Sequence, residues 1–202
     1  MAIIASEKNS SSFEPISEGL HAAVCVWVID IGDQWSDQYQ KSSRKVMLTW
    51  EVPDETITVD GEEKPRVISK EYTMSLSEKA VLRQHLESWR GKKFSEEERA
   101  GFDLINVLGK SCQIQVLHND KGYANIGSIV SYPRGVEPLA PYNDTIYFDL
   151  TDKASLSLLD KIPTWIQDKI KQSPTYKQLV NSTLDSDSGD FQEIEDSEDL
   201  PF

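Results

Sequence analysis

From Gly19 to Gly32 the sequence is almost unbroken in apolar and β-branched residues, through Leu20, Ala22, Ala23, Val24, Cys25, Val26, Trp27, Val28, Ile29 and Ile31. Such a run, bounded by glycines, predicts one long strand. Because it is apolar on both faces, it is expected to curve and be shared between two sheet layers, with Trp27 in the core. The segments that follow keep the period of two. Val46, Leu48, Trp50 and Val52 alternate with Lys45, Met47, Thr49 and Glu51, which predicts a second strand over 44–52 ended by Pro53, with Trp50 in the core. Asp60-Gly61 is turn chemistry, and Arg66–Met74 is a third strand.

At Ser77 the period changes. Ala80, Val81, Gln84, His85, Ser88 and Trp89, with Leu82 and Leu86, suit a helix that opens on Ser77 and stops at Gly91. Ser95-Glu96-Glu97-Glu98 has capping-box spacing for a second short helical piece over 95–100. Two more strands, 112–117 and 123–130, flank the turn Asn119-Asp120-Lys121-Gly122. The order strand, strand, strand, helix, strand, strand predicts a mainly β protein. A five-stranded OB-fold barrel with a helix between strands 3 and 4 is the layout that fits. Another small α+β sheet is the alternative. Four regions are expected: a flexible N-terminal arm (1–17), the barrel (18–132), an appendage (133–180) and a disordered acidic tail (181–202). The appendage opens with the Pro-rich stretch 133–141. It is expected to hold a short edge strand at 145–150 and an amphipathic helix at 162–171, opened by Pro163.

Catalytic signatures are missing. Gly109-Lys110-Ser111 looks like the end of a phosphate loop, but the glycine required five residues earlier is replaced by Leu104. His21, His85 and His118 are scattered without ligand spacing, and Cys25 and Cys112 sit in strand-like runs as expected of buried, reduced thiols. The reading is therefore a binder, not an enzyme, with no metal and no cofactor. No apolar run reaches the roughly 18 residues of a membrane span, and Met1–Glu7 lacks an export signal. The expected setting is the cytoplasm, with no membrane partner.

Charge is unevenly placed. Residues 181–202 carry eight of the 34 acids and none of the 21 Lys and Arg, which lowers the net charge from −5 for the remainder to −13 for the chain. A mildly acidic body of this kind can still present a basic face. The chain closes on Glu195-Asp196-Ser197-Glu198-Asp199-Leu200-Pro201-Phe202. The final phenylalanine offers a ring and a free carboxylate together, and Pro201 holds the residue before it extended. Asp199, Leu200, Pro201 and Phe202 thus form a hook that an apolar pocket rimmed by Arg or Lys can hold.

This ending resembles that of bacterial and phage single-stranded DNA-binding proteins, which place such a tip after an OB-fold. The resemblance implies binding and protection of single-stranded DNA during replication and recombination, and recruitment of replication or repair proteins through the tip. Leu200 stands where isoleucine is common in the bacterial family. The Gly/Gln/Pro-rich linker of that family is missing here, which points to a divergent bacteriophage-type member.

OB barrels bind single strands across strands 2 and 3 and the loops 1–2 and 4–5. The expected interface is therefore Trp35, Tyr39 and Lys41 in the loop 33–43, Lys45 on strand 2, Lys70 and Tyr72 on strand 3, and Lys121 and Tyr123 at the last hairpin. Rings would stack on bases and cations would meet phosphates. The rival reading is an acidic DNA mimic or inhibitor that binds proteins and never touches DNA.

Overall fold

The computed structural model describes residues 14–187. The protein is mainly β, as the periodicity predicts. Its strands are β1 (Gly19–Ser36), β2 (Lys41–Val59), β3 (Glu62–Thr73), β4 (Ser111–His118), β5 (Ala124–Ser131) and β6 (Ile146–Phe148). They form one sheet in the order β3-β2-β1-β4-β5, with β6 added in parallel to β1 at Trp27–Ile29. β1 pairs antiparallel with β4, and β4 with β5. The helices are α1 (Val81–Arg90), between β3 and β4 as expected, α2 (Glu96–Ala100), α3 (Thr164–Gln172) and α4 (Pro174–Asp187).

Several local expectations hold for their stated reasons. Asp60 and Gly61 both have positive φ, 52° and 83°, which makes the two-residue turn that suits the twist of a hairpin. Gly91 ends α1 in the left-handed conformation, and its N–H caps the carbonyls of Glu87 and Ser88. Ser95 and Glu98 close a reciprocal capping box on α2.

Others are corrected. Pro53 does not end β2, which runs to Val59. Proline removes a single ladder donor, and residues 53–59 form an outlying, largely exposed arm that tolerates the loss. Residues 33–36 and 41–43 are strand, so the expected loop shrinks to a turn at 37–40. Helix α1 begins at Val81, and Ser77 lies in the turn before it. Trp27 is half-buried, with an indole N–H that lacks a partner; a ring of that size is seldom enclosed completely. Helix α4 reaches Asp187, seven residues into the segment read as tail.

The contacts divide the chain into two compact units. Among the described residues, one holds 14–29 together with Val46–Phe148; the other holds Asp30–Lys45 and 149–187. In the first, Trp50, Leu86, Cys112, Ile114 and Ile129 are almost wholly buried, and Trp50 and Trp89 meet at 6.0 Å between ring centroids. Trp50 is core, as expected. Cys25 and Cys112 are buried free thiols, and burial pushes both up in pKa. Ile16 is buried. His21 Nε2 and His118 Nε2 meet the carbonyls of Ser17 (2.9 Å) and Ile16 (2.7 Å), so the end of the arm is pinned.

In the second unit Ile31, Leu150, Leu159, Ile162, Ile166 and Ile170 are buried. Arg44 grips the buried carboxylate of Asp30, whose Oδ1 also accepts from the Gly32 N–H at 3.0 Å. Gly32 has φ of 70°, and a Cβ there would lie 2.5 Å from Ser173 Oγ, so the position requires glycine. Asp33 accepts from Thr175 Oγ1 (2.6 Å), and Gln34 Nε2 donates to Lys169 O (3.1 Å). The polar residues that suggested a loop are thus bonded to α3 and α4.

Candidate nucleic-acid interface

The eight expected contact residues separate into two groups. On β2, seven successive residues from Val46 to Val52 are buried, so no outward face survives there. Met47 is buried and Lys45 half-buried. Thr49 Oγ1 shares a hydrogen bond with Ser69 Oγ at 2.8 Å, which places these two side chains on one face. The carboxylate of Glu51 accepts from the backbone N–H groups of Tyr142 (2.8 Å) and Asn143 (2.7 Å) and from the Asn143 side chain. Tyr142 and Asn143, which follow the Pro-rich stretch, therefore lie against the side of β2 that was expected to meet DNA.

Tyr72 is a correction. It was expected to offer a stacking ring, and it is 2% exposed. Its hydroxyl bonds His85 Nδ1 on α1 at 2.9 Å, and the two rings meet edge to face. A buried Tyr must pair its hydroxyl, and α1 supplies the partner. Lys70 is half-buried, and its Nζ donates to Ile126 O on β5 at 2.6 Å. Desolvation lowers the Lys70 and His85 pKa values and raises that of Tyr72, and the Lys70 charge adds to the lowering at His85. This cluster ties β3 to β5 and α1.

The turn residues are exposed. At the end of the β1–β2 hairpin, Trp35 on β1 and Tyr39 in the turn are 61% and 65% exposed, and Lys41 at the start of β2 is exposed. Trp35 Nε1 donates to Asp37 Oδ1 at 2.9 Å, which fixes one edge of the indole while the ring remains accessible. Gln40 takes a left-handed φ of 47°, and its side chain donates to Asp37 O at 2.7 Å, closing the turn. At the β4–β5 turn, Asn119 Oδ1 accepts from the N–H groups of Lys121 and Tyr123, both at 3.0 Å. That turn holds Tyr123 at 67% exposure next to an exposed Lys121. Each turn by itself offers a ring and a cation on a backbone that is fixed by its own hydrogen bonds.

Tyr142, 58% exposed, was missed by sequence reasoning. The signal in the sequence is a Tyr between Pro141 and Asn143, just after the Pro-rich stretch. Asp199, Leu200, Pro201 and Phe202 lie outside the described residues. Among the described residues no cluster of His, Cys, Asp and Glu could hold a metal, and no helix is long and apolar enough to cross a membrane. No family model matches the chain, and no curated protein matches it.

Proposed function

We propose that this chain binds single-stranded DNA with little sequence preference, on an OB-type barrel, and recruits replication, recombination or repair proteins through its acidic tip. The exposed ring-and-cation turns carry the reading: Trp35 and Tyr39 with Lys41, and Tyr123 with Lys121. A sequence-tolerant binder needs π-faces for bases and cations for phosphates, and these turns supply both without spending core residues. Two features support a barrel. Helix α1 lies between β3 and β4, and the outer strands of the path β3-β2-β1-β4-β5 are brought together where Lys70 bonds Ile126 O. The acidic end and its Asp199-Leu200-Pro201-Phe202 tip support the recruiting role, in the manner of a bacteriophage-type protein acting in its host's cytoplasm.

Fluorescence anisotropy of labelled oligo-dT and of duplex, across a salt series, tests the binding. Single strands should bind more tightly, with a log–log salt slope of about −0.7 per phosphate neutralised. Equal or tighter binding to duplex rejects the reading. Capture of proteins without any DNA binding supports the DNA-mimic alternative. For the tip, removing residues 188–202 leaves α4 intact and takes six acids away. DNA binding should tighten, most at low salt, because a tethered polyanion no longer competes. Deleting Phe202 alone should abolish capture of partner proteins from host lysate and barely change DNA affinity. Unchanged capture would reject the hook.

A further inference from the structure

An open groove of about 680 Å³ lies where the ends of α1 and β5 meet the start of β4. Its cations come from separate segments: Arg90 ends α1, Lys92 follows it, and Lys110 precedes β4. Lys92 and Lys110 are exposed. The half-buried rings of Phe102 and Tyr132 and the exposed Asn106 complete the lining that matters here. Lys110 belongs to the Gly109-Lys110-Ser111 triplet, which fails as a phosphate loop but places its lysine on this wall.

Glu98 is the acid of the lining, and it is already neutralised. It pairs with Arg90, lies 3.6 Å from Lys92 Nζ and accepts the Ser95 N–H at 2.9 Å; the Ser95 N–H and Arg90 hold its carboxyl below the usual range. The Arg90 guanidinium lies 4.4 Å and 5.0 Å from the ring centres of Phe94 and Phe102, and its buried Nη1 has no partner. Three cations against one acid make this groove positive in a body whose net charge is negative. Positive charge beside accessible rings fits a planar base with an anionic backbone.

We propose that this groove is a second contact for single-stranded DNA, taking a nucleotide unit with its phosphate on Lys92 and Lys110 and its base against Tyr132 or Phe102. This rests on the single-strand reading above, and the groove is lined by residues other than those of the β1–β2 and β4–β5 turns. An oligonucleotide longer than the roughly 4–16 nucleotides that one barrel occupies should engage both places.

The test uses the full chain and oligo-dT of about 30 nucleotides, beyond one barrel's site. The double variant K92A/K110A should bind more weakly and show a salt slope shallower by about 1.4, two phosphates at 0.7 each. A charge-matched control, K79A/K153A, removes two exposed lysines outside the groove and should move the slope far less. Tyr132→Ala should weaken binding roughly tenfold with little change of slope. Equal slope changes in both lysine pairs would reduce the effect to bulk charge and overturn the proposal. So would a K92A/K110A slope equal to wild type, which leaves the single-strand reading standing. If a synthetic peptide of residues 195–202 binds wild type but not K92A/K110A while the DNA slope is unchanged, the occupant is an acidic peptide and the proposal fails. No oligo-dT binding by wild type would reject the single-strand reading and the groove with it.

Discussion

Strands β2 and β3 and the two turns were expected to form one interface, yet their side chains meet different surroundings. Tyr72 is enclosed and bonded to His85, and Lys70 is tied to β5. Trp35, Tyr39 and Tyr123 each leave more than half their surface in water. The same residue types, ring and lysine, thus do structural work on the strands and face outward at the turns. A strand that neighbouring elements cover on both faces gives no sign in its alternation of which face is wet. Side chains in a tight turn, or on the strand residues next to it, have few places to go but outward.

The largest break between the two groups should be in stability. Tyr72→Ala empties a core position and should cost about 3–5 kcal/mol of folding stability, read by urea denaturation. Trp35→Ala and Tyr123→Ala should leave the urea midpoint within about 0.5 kcal/mol of wild type, as exposed positions do. In exchange, each should weaken oligo-dT binding by about 1–3 kcal/mol with an unchanged salt slope. If Trp35→Ala unfolds the protein and binds DNA normally once refolded, the division is reversed.

A finer comparison keeps the Tyr72 ring and removes its hydroxyl. Tyr72→Phe should cost about 1 kcal/mol of stability through the lost bond to His85, and DNA affinity should stay at the wild-type value. A drop in affinity at unchanged stability would return Tyr72 to the interface. Lys41→Ala and Lys121→Ala should each make the salt slope shallower by about 0.7.

The smallest expected effect is a pH dependence of folding. The His85 pKa is lowered from 6.5 in the folded state, mainly by desolvation. The unfolded chain therefore binds more protons than the native one as pH falls through 6.5, and stability should decline over that window. His85→Gln should flatten this decline in thermal melts between pH 7 and about pH 5.5, a window around the ordinary histidine pKa. A decline of equal steepness in the variant would place its origin elsewhere.

Much of the fold was legible because local chemistry and long-range structure agree. The Asp60-Gly61 turn, the Gly91 stop, the Ser95–Glu98 box and the strand–helix order all follow from residues acting over a few positions. What misled depends on partners distant in sequence. Asp33 and Gln34 are polar because they bond Thr175 and the Lys169 carbonyl, so a strand resembled a loop. Glu51 resembled a surface acid because nothing nearby in sequence announces that the amides of Tyr142 and Asn143 will cover it. The exposure of Tyr39 and Tyr123 follows from the turn chemistry around them, whereas the facing of β3 was not legible, since Arg66, Ile68, Lys70 and Tyr72 mix charge and ring on one side.

Photocrosslinking of bromouracil-substituted oligo-dT to the full chain, with the attached peptides mapped, separates the two groups in one experiment. Crosslinks should fall on Trp35 or Tyr39 and on Tyr123, and the strand peptide that contains Tyr72 should carry none. Crosslinks concentrated at Tyr72, with the turns unlabelled, would contradict the assignment of single-strand binding to the exposed turns.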